Sequence, residues 1–168
     1  YVRGYTGEGA RVLEGILSGA TDQLETQLHI RLLHGAGMMA ICQSEYLVAK
    51  SHYELKLELA RRIEDWEGVQ RALTNLGIIA DTLGEFEASR AYYQQALDLA
   101  RRLEKTASHA TFLIKLGVMA YAQGEPAEAE AFFRQSLLLK ESVGDPNGIA
   151  IAVGFLGRLA SYRGDYDA

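Results

Sequence analysis

A chain of 168 residues, 48% hydrophobic and 23% charged, is long enough to bury one core of ordinary size. Its net charge of −5 argues against a dedicated nucleic-acid surface, which needs a clustered excess of Lys and Arg, and its single cysteine, Cys42, excludes an internal disulfide. Neither a signal peptide nor an apolar run of membrane-spanning length is present, so the expectation is a soluble, cytoplasmic chain without membrane contact. Helix-favouring Ala, Leu, Glu, Arg and Gln dominate, alternating β-branched runs are nearly absent, and only two prolines occur; the predicted class is all-α.

Taken along the chain, the opening segment GEGARVLEGIL predicts a helix over about 7–18. Asp22, with Glu25 three residues on, has the spacing of a capping box and starts a second helix over 22–43. A third, 46–63, ends on Arg61 and Arg62, cations suited to the negative end of the helix dipole. Asp65 is a predicted N-cap for 66–83, and Gly84 a stop. Glu85-Phe86 opens 86–104, which closes on Arg101-Arg102; a helix over 107–123 stops at Gly124. Glu125-Pro126 opens 126–142, and Gly144-Asp145-Pro146 gives a stop, a cap and a proline at the first helical position of 146–163.

These helices repeat with a period of forty. Leu76-Gly77 returns as Leu116-Gly117 and Leu156-Gly157, and an alanine three positions after each glycine returns as Ala80, Ala120 and Ala160. Gly84-Glu85 is matched by Gly124-Glu125 and Gly164-Asp165; an aromatic recurs as Tyr53, Tyr93 and Phe133. Fixed phase over several positions marks a stack of helix pairs. In the first helix of each pair Leu113, Leu116, Gly117 and Ala120 form one small and apolar stripe, so Gly77 and Gly117 read as points of close helix approach, with Ala129 and Phe133 as mates, whereas Gly84 reads as a helix stop. The expected layout is one domain: an incoming helix at 7–21, repeats at 22–65, 66–105 and 106–145, and a half repeat at 146–168.

The order Leu-Gly-x-x-Ala, Gly-acidic-aromatic, small (Ser89, Ala129), aromatic (Tyr93, Phe133), small (Ala96, Ser136) resembles the tetratricopeptide-repeat family, in its longer, forty-residue variety. Ala80, where that family often has tyrosine, and the repeat length are similar to arrays in bacterial multidomain transcriptional regulators and signalling ATPases. The resemblance implies a right-handed α-solenoid of antiparallel helix pairs whose first helices line a concave groove for a peptide, a protein segment or a flanking domain of the same protein. Transferring groove positions repeat by repeat gives Arg31, His34 and Met38; Arg71, Asn75 and Ile78; Lys115, Val118 and Tyr121; and Phe155, Arg158 and Tyr162. Arg31, Arg71, Lys115 and Arg158 face Asp81 alone among acidic residues on that stripe, so the expected groove is locally cationic and suits an acidic peptide. Asn75, just before Leu-Gly, resembles the family position that hydrogen-bonds a peptide backbone.

No chemistry-bearing motif competes with this. Gly35-Ala36-Gly37-Met38-Met39-Ala40 falls inside a helix with no strand before it, so a dinucleotide cofactor is not expected. His29 and His34 are five apart, the wrong spacing for two metal ligands on one helical face, and Cys42 is expected to be a buried thiol. The expectation is a non-enzymatic interaction domain with no cofactor and no metal, a sensor or scaffold segment of a larger bacterial regulator. Two rival readings stand beside it: an assembly module with an empty groove, and a sensor of a small molecule or peptide pheromone. The chain stops at Gly164-Asp165-Tyr166, where a second helix would begin, so it is expected to be part of a longer array whose last helix, with Leu156, Leu159 and Ala160, is exposed or covered by a second copy in a homodimer.

Overall fold

The computed structural model describes residues 7–9, 11–13 and 26–163. Residues 7–9 and 11–13 are helical. Seven complete helices follow: α1 (Thr26–Cys42), α2 (Tyr46–Arg62), α3 (Trp66–Thr82), α4 (Phe86–Arg102), α5 (Thr106–Ala122), α6 (Pro126–Ser142) and α7 (Pro146–Arg163). No strand occurs among the described residues. The expected capping box of Asp22 and Glu25, and Gly164-Asp165-Tyr166, lie outside them.

Each of the first six helices is 17 residues long, and three residues link each to the next. The middle linker residue is left-handed every time, with φ from 52 to 78°: Ser44, Glu64, Gly84, Glu104, Gly124 and Gly144. Its N–H donates to the carbonyl three residues back, at 2.9 to 3.2 Å; the next N–H reaches the carbonyl five residues back, at 2.8 to 3.0 Å. These are the paired bonds of a Schellman motif, and they satisfy carbonyls that a helix end would otherwise leave orphaned. The residue making the second bond then offers its own carbonyl to the first turn of the following helix, as Asp65 does to Val69 at 2.8 Å. One linker thus closes one helix and opens another, and so short a linker makes the two antiparallel.

The fifth-residue-back acceptors are Ala40, Ala60, Ala80, Ala100, Ala120 and Lys140. The alanines are buried. The alanine that repeats in the sequence therefore supplies both the carbonyl that accepts the turn's second hydrogen bond and a side chain small enough for the neighbouring helix to pass.

The chain divides into two compact units, Tyr1–Tyr92 and Tyr93–Ala168, the division falling inside α4. In the first, α1 packs on α2 and α2 on α3 around Leu33, Tyr53, Leu73 and Leu76. Tyr53 lies against Gly37, where a Cβ would stand 2.6 Å from its ring. Ser89 at the start of α4 donates its buried hydroxyl to the Gly77 carbonyl at 2.8 Å. In the second unit α5, α6 and α7 close around Leu113, Leu116, Ala120, Ala129 and Phe133. There Gly117 holds the position that Gly37 holds in the first unit, and a Cβ on it would be 2.5 Å from Phe133. Ser136 on α6 donates to the Ala110 carbonyl of α5 at 2.8 Å.

Two expectations are corrected. Cys42 is exposed, because it lies two residues beyond buried Ala40, about 200° round the helix. Leu159 is 2% exposed rather than on an open face. Ala152 and Leu159, seven apart on α7, both turn inward, while Leu156 packs beside Phe133; the large apolar side chains that α7 leaves open are Ile151, Val153 and Tyr162.

Gly117 and Gly157 occupy the same phase but not the same surroundings, since a Cβ at Gly157 would meet nothing within 4 Å. In thermal melts of this chain, Gly117→Ala should be destabilised, with an overpacking cost of about 1–3 kcal/mol outweighing a helix-propensity gain of about 1 kcal/mol. Gly157→Ala should be stabilised by up to about 1 kcal/mol, having the gain without the clash.

Candidate functional site

In the first unit the expected residues separate into two groups. Arg31 and His34 of α1 and Arg71 of α3 line one cleft of about 380 Å3, together with Gln27, Ile30, Lys56, Asp65, Glu67 and Gly68. Met38 and Ile78 are exposed apolar side chains that do not line it. Asn75 is also outside it, and its Nδ2 donates to the Arg71 carbonyl at 2.8 Å, so the amide N–H thought to await a peptide is hydrogen-bonded to its own helix.

The cleft is built by the α2–α3 linker. Asp65 Oδ1 accepts the Gly68 N–H at 2.9 Å, an N-cap that fixes the first turn of α3. Gly68 lets the carboxylate sit that close, since a Cβ would fall 2.3 Å from it. One turn on, Arg71 Nη2 pairs with Glu67 Oε1 at 3.0 Å, an exposed i,i+4 pair of the favourable orientation and of small energetic value. Arg71 is thus not the bare cation that its place in the sequence suggested.

Lys56 is the residue that sequence reasoning missed. It is only 3% exposed and comes from the second helix of its pair, not from the stripe expected to face a ligand. Its Nζ lies 5.9 Å from the centroid of the Tyr53 ring, and it has no hydrogen bond or ion pair among the described residues. No fully enclosed side-chain nitrogen there lacks a partner, so the ammonium keeps a contact with the cleft's solvent. Burial and the Arg71 charge push its pKa below the ordinary 10.5, against a partial offset from Asp65. A signal was present in the repeat: Lys56 stands in phase with Ala96 and Ser136, where a small residue is the rule.

His34 is held against the same group. Tyr53 Oη is 3.3 Å from His34 Nδ1, with the rings edge to face at 5.9 Å between centroids. Burial pushes the Tyr53 pKa up to about 12, so the phenol keeps its proton through the neutral range and donates to Nδ1 when the imidazole carries its own proton on Nε2. Burial first, then the charges of Lys56 and Arg71, lower the His34 pKa from 6.5.

In the second unit the expected residues form contacts of another kind. Phe155 is half-buried, stacked on Phe133 with centroids 4.9 Å apart and an interplanar angle of 14°. The Arg158 guanidinium lies over the Phe155 ring, 4.3 Å from its centroid, a cation–π contact. Tyr121 and Tyr162 meet edge to face at 5.8 Å. Lys115 and Val118 are exposed on α5. Among the described residues no His, Cys, Asp or Glu cluster could hold a metal ion, and no helix is long and apolar enough to cross a membrane.

Two tetratricopeptide-repeat family models match the chain, one over residues 28–102 and the other over 74–146. No curated protein matches it in sequence. Among solved structures, BtubC (BKLC) from P. vanneervenii is similar over 97% of this chain and 68% of its own, with 21% identity and a TM-score of 0.82. The apo form of RapI is similar over 94% of this chain and 43% of its own, at 12% identity and a TM-score of 0.82. The Rap conjugation gene regulator of the plasmid pLS20, in complex with the Phr* peptide, is similar over 94% and 44%, at 16% identity and a TM-score of 0.70. The chain spans less than half the length of either Rap protein. It belongs to the tetratricopeptide-repeat family and has the fold of its α-solenoids.

The lowered His34 pKa fixes the sign of a pH effect. Below about 6.5 the unfolded chain takes up a proton that folded His34 resists, so the stability that the neutral ring contributes is complete above that pH and is lost as pH falls through the folded value. Between pH 7.5 and 5 the Tm of the unaltered chain should fall more steeply than that of His34→Asn, whose amide oxygen can still accept from Tyr53.

Proposed function

We propose that this chain is a non-catalytic binding module that takes a peptide or protein segment on the outward stripes of its helices, α1 and α3 in the first unit and α5 and α7 in the second. The observation that carries this reading is a repeated exposure. Met38, Ile78 and Val118 stand forty residues apart, each a large apolar side chain 43, 41 and 37% exposed in helices whose other faces are buried. An apolar side chain left open at the same phase of three helices is a recurring contact point for a ligand. Arg31, Arg71, Lys115 and Arg158 give that ligand an acidic preference, with Arg71 damped by Glu67 and Arg158 presented on an aromatic platform. Support also comes from a protein of similar fold, the pLS20 Rap regulator, which was solved with a peptide bound. The wider setting that fits is a sensor or scaffold segment of a larger cytoplasmic bacterial regulator, with flanking domains of that protein as further partners.

A displayed library of decapeptides, graded by net charge and screened against the chain, tests this reading. Acidic sequences should be enriched, and Arg71→Glu, Lys115→Glu and Arg158→Glu should each weaken the selected peptides by about fivefold or more in fluorescence anisotropy. Enrichment without charge preference, or affinities indifferent to all three reversals, would remove the cationic surface from the proposal; no enrichment at all would remove the peptide.

A further inference from the structure

A buried lysine is costly, and the other copies of its repeat position manage with alanine or serine. Lys140, in the second unit, shows the ordinary solution. It too is buried, and its Nζ is 2.9 Å from Asp145 Oδ2, while the other oxygen of Asp145 caps Gly148 at 3.0 Å. In the first unit the matching Asp65 caps Gly68, but the residue in the place of Lys140 is Ala60. Lys56 lies one turn earlier on α2, and no carboxylate is within ion-pair distance of it among the described residues. The two acidic residues of the cleft already have partners, Asp65 on the Gly68 N–H and Glu67 on Arg71.

We propose that the cleft bounded by α1, Lys56 of α2 and the first turns of α3 is a binding site for a single carboxylate, received between Lys56 and Arg71 with Arg31 at its exposed edge. The charge balance sets the ligand class. Among the described residues three cations line the cleft against two carboxylates, so one negative charge neutralises that set, whereas a dianionic phosphate would leave an excess. Arg71 disfavours the protonated state of Lys56, and both disfavour that of His34, so an entering anion relieves the repulsion. Ile30 and the stem of Lys56 give an acidic side chain apolar contact below its headgroup. The cleft volume of about 380 Å3 admits a glutamate side chain with adjoining backbone. Naming the source as an Asp or Glu of a bound segment rests on the peptide-binding reading above; the site itself does not.

The experiment is a titration of the folded 168-residue chain, labelled with 15N in its lysines, with N-acetyl-glutamate α-amide and its glutamine counterpart. The glutamate compound should move the Lys56 Nζ signal and bind about tenfold more tightly than the glutamine one. Lys56→Met, which keeps the apolar stem, and Arg71→Gln, at an exposed position, should each abolish that preference, and Lys115→Gln in the other unit should leave it within about twofold. Equal binding of the two compounds, or a preference that survives both variants, overturns the site. Peptides from the library screen form the second arm. Glutamate-amide binding that needs Lys56, with no peptide bound, keeps the carboxylate site, makes a free small acid its source and removes the peptide reading. Peptides that bind and tolerate Glu→Gln at every position, with Lys56 indifferent, keep the peptide reading and overturn the carboxylate site.

Discussion

Each pair of successive helices from α1 to α7 depends on one left-handed residue. Without φ near +60° at the middle of each linker, the chain could not return its next N–H to the carbonyl five residues back, and the helix would fray or run on. The cost is about 1 kcal/mol or more where the residue is not glycine, and Ser44, Glu64 and Glu104 bear it. They can because two hydrogen bonds and the antiparallel packing of the flanking helices over-determine the conformation. The backbone therefore repeats every twenty residues while the sequence repeats every forty. The shorter period comes from the turn; the longer one comes from which helix of the pair carries the glycine and which the aromatic that fills its place.

The same linker decides where charge goes. The residue after the left-handed one is the N-cap of the next helix, and when it is aspartate its carboxylate turns back to the third N–H of that helix, as in Asp65 with Gly68 and Asp145 with Gly148. Glycine stands there in both, where a Cβ would crowd that carboxylate. That geometry leaves one aspartate oxygen facing the preceding helix. At Asp145 it receives Lys140, and burial of that lysine is compensated. At Asp65 the facing residue is Ala60, so the buried lysine one turn away has no partner at hydrogen-bonding range among the described residues. A fold-determining turn thus produces an uncompensated cation beside a cleft, which is the kind of imbalance that a ligand corrects.

Much of the fold was legible because its signals are local. Asp65, Gly84, Gly124 and the Gly144-Asp145-Pro146 run mark helix ends by residue type, and Gly117 with Phe133 betrays a close approach by fixed phase. The linkers at Ser44, Glu64 and Glu104 were not legible as left-handed, since those residues carry no preference for that region and tertiary packing imposes it. The stripe facing outward was legible as a set of positions, but not as a set of interactions. Asn75 bonds its own helix, Arg71 is paired with Glu67, and Phe155 is stacked on Phe133, and each of those outcomes depends on a neighbour that periodicity does not name. Lys56 was hidden for the opposite reason. It lies on a helix face that the repeat assigns to packing, and only its mismatch with Ala96 and Ser136 set it apart.

Lysine titration by NMR of the unliganded chain asks directly whether Lys56 lacks a partner. Two lysines of the first unit provide the contrast: Lys50, bound to Glu85 at 2.5 Å and held above its ordinary 10.5 chiefly by that hydrogen bond, and Lys56, lowered by burial and by Arg71. Lys56 should lose its proton below 10.5 and before Lys50 does. A Lys56 that titrates at or above 10.5 would mean that a carboxylate already neutralises it, and the cleft would then be a closed ion pair rather than a place for a ligand.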